Sequence, residues 1–235
     1  MFEIIALDAD DTLWHNERLY ASAQQKLAQL LAPFAAPDEV AQQLLQNETA
    51  NITLYGYGIK SFVLSMIETA LQLSDHKVPA SVIADLLQLA KDMIAAKVEL
   101  LPGVEAALKE LASTYRLLVI TKGDLLDQRA KLERSGIAEY FSDIEVVVEK
   151  MPDVYRALLD RLDVDPGRFL MVGNSLRSDI LPVLQLGGHA VYIPSELTWE
   201  HERVEEGSVE GYHKLRSMDE LPALISQLIK PEESN

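Results

Sequence analysis

Ile4-Ile5-Ala6-Leu7 is an unbroken apolar run, and it ends in Asp8, Asp10 and Asp11 within four positions. A short apolar segment bounded by polar residues reads as a strand buried on both faces, the kind that parallel sheets contain. In open α/β sheets the ligand crevice lies outside the carboxyl ends of the strands. The three carboxylates fall at that end. Crowded carboxylates repel unless one takes a proton or a cation lies between them. An all-oxygen set of this kind suits a hard divalent ion, Mg²⁺. There is a second reading, because an aspartate after a strand also caps the helix that follows. The choice between the two depends on the rest of the chain.

Residues 15–98 carry helical signals and no strand signal. Glu17 to Ala32 places Leu19, Ala23, Leu27 and Leu31 on one stripe, and Pro33 stops it. Pro37-Asp38 opens a second helix with Val40 and Leu44 inward. Residues 51–58, in which Tyr55 and Tyr57 alternate with Gly56 and Gly58, read as a loop. Ile59 to Leu71 has near-ideal helical spacing, and Pro79 begins a fourth helix. Four amphipathic helices with short connections predict a small bundle. After Leu101-Pro102-Gly103 the pattern changes. Strand-like segments at 116–121, 144–148, 168–173 and 189–193 alternate with helical ones at 104–111, 124–134, 153–162 and 179–186. This alternation means βαβ units and a parallel sheet. The first strand needs partners, so it belongs to that sheet. The prediction is an α/β Rossmann-like parallel sheet of order 5-4-1-2-3 flanked by helices. Its core is residues 1–14 and 99–235, with 15–98 inserted as a helical domain. Residues 194–211 read as irregular, 218–229 as a last amphipathic helix, and the tail after Lys230 as disordered.

Composition narrows the function classes. With 21 Lys+Arg against 37 Asp+Glu, the formal net charge is −16. Nucleic acid and anionic membrane select for basic surface, so neither is expected as a partner. There are no cysteines, which fits a reducing compartment and excludes thiolate chemistry. No apolar run approaches the ~20 residues of a membrane span. The N-terminus lacks a basic n-region, so the cytoplasm is the expected location. His15, His76, His189, His201 and His213 show no metal-ligand spacing and read as surface or core residues.

The strand ends gather chemistry. The first is followed by Asp8, Asp10, Asp11 and Thr12; the second by Thr121, Lys122 and Gly123. Glu149-Lys150 follows the third, and Gly173-Asn174-Ser175 with Asp179 follows the fourth. Carboxylates, a hydroxyl, a lysine and an amide at one sheet edge suit a phosphate held beside Mg²⁺. Asp8-Ala9-Asp10-Asp11-Thr12 resembles the DxDxT motif of the haloacid dehalogenase-like superfamily, a group dominated by Mg²⁺-dependent phosphatases. Thr121 matches its second motif and Lys150 its third. Gly173-Asn174-Ser175 with Asp179 matches its fourth, and the helical insertion matches its type 1 cap. The resemblance runs from about Ile4 to Ile193, and the four motifs occur in the family's order.

The resemblance implies a small phosphorylated metabolite as substrate and a two-step reaction. Asp8 is then the nucleophile that forms an aspartyl-phosphate. Asp10 is the general acid, then the base that activates water. Asp8, the backbone carbonyl of Asp10, and Asp179 with Asn174 hold Mg²⁺, which shields the phosphate charge. Thr121 and Lys150 bind the phosphoryl oxygens, with backbone donors from Asp11 and Gly123. Two departures stand out. Asn174 occupies a position that is Asp in most of the family, which implies weaker metal binding. Met151 separates Lys150 from Pro152, and this leaves Lys122 as an alternative phosphate cation. A 2-haloacid dehalogenase on the same scaffold lacks the second Asp of DxD, so Asp10 favours phosphoryl chemistry. A phosphomutase and a non-catalytic binding protein are the remaining alternatives. Trp14 reads as packing where the chain leaves the sheet, or as touching substrate. The Tyr55–Gly58 loop reads as a closing element or a plain turn, and Trp199 and His201 as surface packing.

Overall fold

The computed structural model describes residues 2–195 and 209–229. All four residues of β1 (Ile4–Leu7) are buried. Four helices follow: α1 (Glu17–Leu31), α2 (Pro37–Tyr55), α3 (Ile59–Leu73) and α4 (Ala80–Ala95). Then α5 (Val104–Leu111) leads to β2 (Arg116–Lys122), α6 (Leu125–Ser135) to β3 (Asp143–Val147), and α7 (Pro152–Leu162) to β4 (Phe169–Gly173). A π-helical turn over Leu176–Ile180 and α8 (Leu181–Leu184) precede β5 (His189–Tyr192). β6 (His213–Lys214) and α9 (Leu221–Ile229) complete the described elements.

Among the described residues the strands form one sheet of order β3-β2-β1-β4-β5-β6. Read from the other end, this is the expected order with β6 added. β1 runs parallel to both neighbours, with Leu7 opposite Val119 on one side and Val172 on the other. The carboxyl ends of β1, β2 and β4 therefore lie side by side. The apolar residues of β1 alternate between two cores. Ile5 and Leu7 pack with α5 and α9, while Ile4 and Ala6 pack with Tyr155, Leu158 and Leu159 of α7. Burial on both faces explains why the strand reads as a continuous apolar run. β6 is two residues long and adds at the sheet edge, which is too short to show as a sequence pattern.

The chain divides into two compact units: residues 1–15, 98–121 and 129–235, and residues 16–97 with 122–128. The second is the helical unit, built around Leu27, Leu44, Phe62, Met66 and Leu86. Here the structure corrects the sequence reading. Asn51–Tyr55 is the last part of α2, not a loop. Asn47 and Asn51, four apart and so on one helix face, are both buried against α3. Asn47 donates to Thr69 Oγ1 at 2.8 Å and Gln72 Oε1 at 3.0 Å; Asn51 donates to Ser65 Oγ at 3.0 Å and Glu68 Oε2 at 2.9 Å. A polar seam of this kind is invisible to a search for apolar periodicity. The turn itself is confined to Gly56, Tyr57 and Gly58, where the two glycines have φ of 72° and 104°.

A second correction falls after β4, where a helix over 179–186 was expected. Asp179 instead sits in the π-helical turn, and only Leu181–Leu184 is α-helical. Pro182 has no N–H to return to the carbonyl of Ser178. That carbonyl accepts the Tyr155 hydroxyl at 3.1 Å. Among the described residues no helix is long and apolar enough to cross a membrane. Trp199, His201 and the tail after Lys230 lie outside the described residues.

Candidate active site

Asp8 follows β1 directly, and its N–H donates to the Val172 carbonyl of β4 at 2.9 Å. Its carboxylate meets a buried ammonium. Lys150 Nζ donates to Asp8 Oδ1 at 2.5 Å and to Asp179 Oδ1 at 2.7 Å. Lys150 and Asp179 side chains are only 2% and 1% exposed. The other oxygen of Asp179 accepts the Ser175 N–H at 3.0 Å. Gly173 makes this placement possible: a Cβ there would lie 2.1 Å from Asp179 Oδ2. Ser175 Oγ accepts the Ser178 N–H at 3.0 Å and closes the turn that presents Asp179. Thr12 Oγ1 lies 3.1 Å from Asp8 Oδ2 and 3.2 Å from Asn174 Oδ1. Its single proton serves one of these acceptors at a time.

Burial pushes the Asp8 carboxyl up to about 7; the Lys150 ammonium opposes this and the nearby Asp179 carboxylate adds to it. For Lys150, burial alone would favour the neutral amine, but the Asp179 and Asp8 carboxylates outweigh it and hold the ammonium well above its usual range. The trio of two carboxylates and one ammonium carries a net negative charge when all three ionise. Its ligand atoms are all oxygen, and Asn174 adds a neutral amide carbonyl nearby. A donor set of that chemistry fits Mg²⁺, which keeps several waters and takes only one or two carboxylates. Among the described residues no group of three or more His, Cys, Asp or Glu could hold a metal ion.

Asp10 lies in the same loop. Its Oδ1 accepts the Trp14 indole N–H at 2.7 Å and the Lys131 ammonium at 3.0 Å. Asp11 adopts φ 59°, in the left-handed region, and its N–H donates to the Trp14 carbonyl at 2.7 Å. The backbone donor expected from Asp11 for phosphate is therefore used within the loop. Thr121 is buried near the end of β2, two residues past the Val119–Leu7 pair. Lys122 and Gly123 cluster instead with the helical unit. Lys122 Nζ lies over the Tyr57 ring, 4.5 Å from its centroid, and Lys60 pairs with Asp124 at 2.9 Å. Gly123 has φ 131°, and a Cβ there would meet the Gln128 side chain at 3.1 Å.

So Asp8, Thr12, Lys150, Asn174 and Asp179 are joined by direct hydrogen bonds, with Asp10 beside them. Sequence reasoning missed Lys131. It lies on α6 next to Leu132, and nothing in the helical pattern separates a buried lysine from a solvated one. It also left the Trp14 indole N–H and the Tyr155 hydroxyl without roles.

The sequence model of the haloacid dehalogenase-like hydrolases matches residues 2–187. An N-acylneuraminate-9-phosphatase of Mus musculus is 33% identical over 133 residues, which are 53% of this chain and 51% of that protein. A glyceraldehyde 3-phosphate phosphatase of Methanothermobacter thermautotrophicus is 36% identical over 117 residues, covering 46% of this chain and 51% of that one. The chain thus aligns with about half the length of these relatives. The crystal structure of a haloacid dehalogenase-like family hydrolase from Xanthomonas campestris superposes with a TM-score of 0.87 at 34% identity, covering 97% of this chain and 91% of that one. With the family match spanning most of its length, this chain belongs to the haloacid dehalogenase-like hydrolases.

Proposed function

We propose that the protein is a Mg²⁺-dependent phosphatase that hydrolyses a small phosphomonoester through an aspartyl-phosphate on Asp8. The observation that carries this reading is the bonded trio Asp8–Lys150–Asp179 at the sheet edge, with a second carboxylate, Asp10, beside it. The activities in the relatives' names support the same class of substrate. An oxygen of Asp8 attacks phosphorus as the ester P–O bond breaks, and Asp10 gives its proton to the leaving oxygen. Water then attacks phosphorus, Asp10 takes back a proton, and the acyl-phosphate P–O bond breaks to free Asp8. Lys150 holds Asp8 in line and neutralises the phosphoryl group, and Thr121 donates to one of its oxygens. Asp8, Asp179, Asn174 and the Asp10 carbonyl are the residues to hold Mg²⁺. When bound, the ion offsets the charge that repels an anionic nucleophile from an anionic ester.

The domain assignment belongs to the same proposal: residues 1–14 and 99–235 form the catalytic core, and 15–98 the substrate-selecting cap. A cytoplasmic location and the absence of nucleic-acid and membrane partners complete it, on the grounds of charge and composition. The test is phosphate release from a panel of sugar phosphates, short-chain phosphates and nucleotides, with and without Mg²⁺. The expected result is Mg²⁺-dependent release that Asp8→Asn abolishes. Chloride release from 2-chloropropionate without phosphate release would favour the dehalogenase alternative. Asn174→Asp is expected to lower the Mg²⁺ concentration needed for half-maximal rate. An unchanged Mg²⁺ titration would remove Asn174 from the metal site.

A further inference from the structure

Lys131 is a buried cation that the reaction as described does not use. Its side chain is 8% exposed, and its ammonium lies 3.0 Å from Asp10 Oδ1. The Trp14 indole, itself buried, donates to the same oxygen at 2.7 Å. Two N–H donors from different directions fix the rotation of a carboxyl group that would otherwise turn about its last bond. An oxygen that accepts two N–H bonds is a poor place for a proton, so this pair of bonds favours Oδ2 for the proton of the neutral acid.

We propose that Lys131 and Trp14 form a clamp on Asp10 Oδ1 that selects and aims Oδ2 as the proton-transferring oxygen. Both are positioning residues acting through Asp10. The inference rests on the phosphatase reading, in which Asp10 protonates the leaving group. Trp14 supplies its donor from within the same short loop, where its carbonyl also holds the Asp11 N–H. Lys131 supplies the second from α6, so two elements distant in sequence converge on one carboxylate oxygen. Lysine brings a charge as well as a direction, which makes its bond the stronger of the two in kind.

In kcat/KM, which covers the steps up to departure of the leaving group, the clamp matters only where the leaving oxygen needs a proton as it departs. Phenyl phosphate, whose leaving group has a pKa of about 10 like that of tyrosine, depends on Asp10. The ester of a far more acidic phenol, p-nitrophenyl phosphate, departs without help. For Lys131→Met, kcat/KM on phenyl phosphate is expected to fall ~10- to 100-fold, less than the roughly 10²- to 10⁴-fold that a whole general acid contributes. On p-nitrophenyl phosphate the loss in kcat/KM is expected to stay under about threefold, while kcat on both esters also carries the shared step in which Asp10 activates water. Lys131→Arg, which keeps a charged donor, restores most of the lost rate. Trp14→Phe keeps the ring and loses the N–H, and it is expected to show the same leaving-group pattern at smaller amplitude. It also serves if Lys131→Met does not fold.

Equal losses of kcat/KM on both esters, or a rise in KM alone, overturn the clamp and make Lys131 a phosphate-binding or purely structural group. An unchanged phenyl phosphate rate in a folded Lys131→Met protein overturns it too. No phosphate release by the wild-type protein from these esters or from the metabolite panel contradicts the phosphatase reading itself, and the clamp with it.

Discussion

Removing the Lys150 ammonium would leave Asp8 and Asp179 buried together without the cation that joins them. Breaking such a set from one side costs about 3–5 kcal/mol. Lys150→Ala is therefore expected to lower the unfolding free energy by that order and to abolish turnover, with added Mg²⁺ recovering part of the stability. Lys122 makes the contrast, since its contact is a cation over the Tyr57 ring. Lys122→Ala is expected to cost under about 1 kcal/mol. If Lys122→Ala stops turnover while Lys150→Ala merely slows it, the phosphate cation has been misassigned. Gly173 is just as constrained. A Cβ would meet the Asp179 side chain at 2.1–2.6 Å, so Gly173→Ala has to displace that group. A displacement of about 1 Å at a reacting centre costs on the order of 100-fold in rate. Initial-rate kinetics on the folded variant check this, and a rate within threefold of wild type would show that the turn yields without moving Asp179.

At the scale of elements, Glu48 of α2 sets a pH dependence. Burial, then the neighbouring Glu17 carboxylate, pushes Glu48 from its ordinary 4.5 up to about 7. The folded state then binds a proton more tightly than the unfolded chain between those values. The stability of the helical unit falls as pH rises through that window and stays lower above it. Glu48 is partly exposed, so the difference is expected to be roughly 1–2 kcal/mol. Glu48→Gln should match wild type near pH 4 and exceed it at pH 8, by chemical denaturation followed by circular dichroism. Equal stability at both pH values would show that Glu48 is fully solvated. Tyr155→Phe tests the turn after β4. Losing the bond to the Ser178 carbonyl is expected to cost ~1 kcal/mol and to lower kcat through Asp179. The elements also show where sequence reasoning holds. β1 was legible because burial on both faces removes every polar residue from it, and α3 because its apolar stripe is unbroken. The end of α2 was not, because Asn47 and Asn51 bury amides that the pattern assigns to solvent. The π-helical turn was not, because it depends on a tyrosine from α7. In each case the deciding partner lies on another element.

At the scale of the molecule, the parallel sheet determines which residues can meet. Asp8 follows β1, Thr121 lies near the end of β2, and Asn174 and Asp179 follow β4; β2 and β4 are the two strands that flank β1. That adjacency is why motifs separated by more than a hundred residues were readable as one site: each sits at the carboxyl end of a buried run. Lys131 was not readable, because α6 carries it to Asp10 from outside any strand end. The helical unit has its own core and its own polar seam.

The proposed reaction passes through a covalent bond between Asp8 and phosphorus, and intact mass measurement of an acid-quenched Asp10→Asn protein tests it. That variant retains the nucleophile and lacks the base that helps water to attack. With Mg²⁺ and p-nitrophenyl phosphate it is expected to accumulate a species heavier by one phosphoryl group, located by peptide mapping to Asp8 and absent from Asp8→Asn. Turnover of that ester with no adduct on rapid quenching, or an adduct on any other residue, would contradict the account.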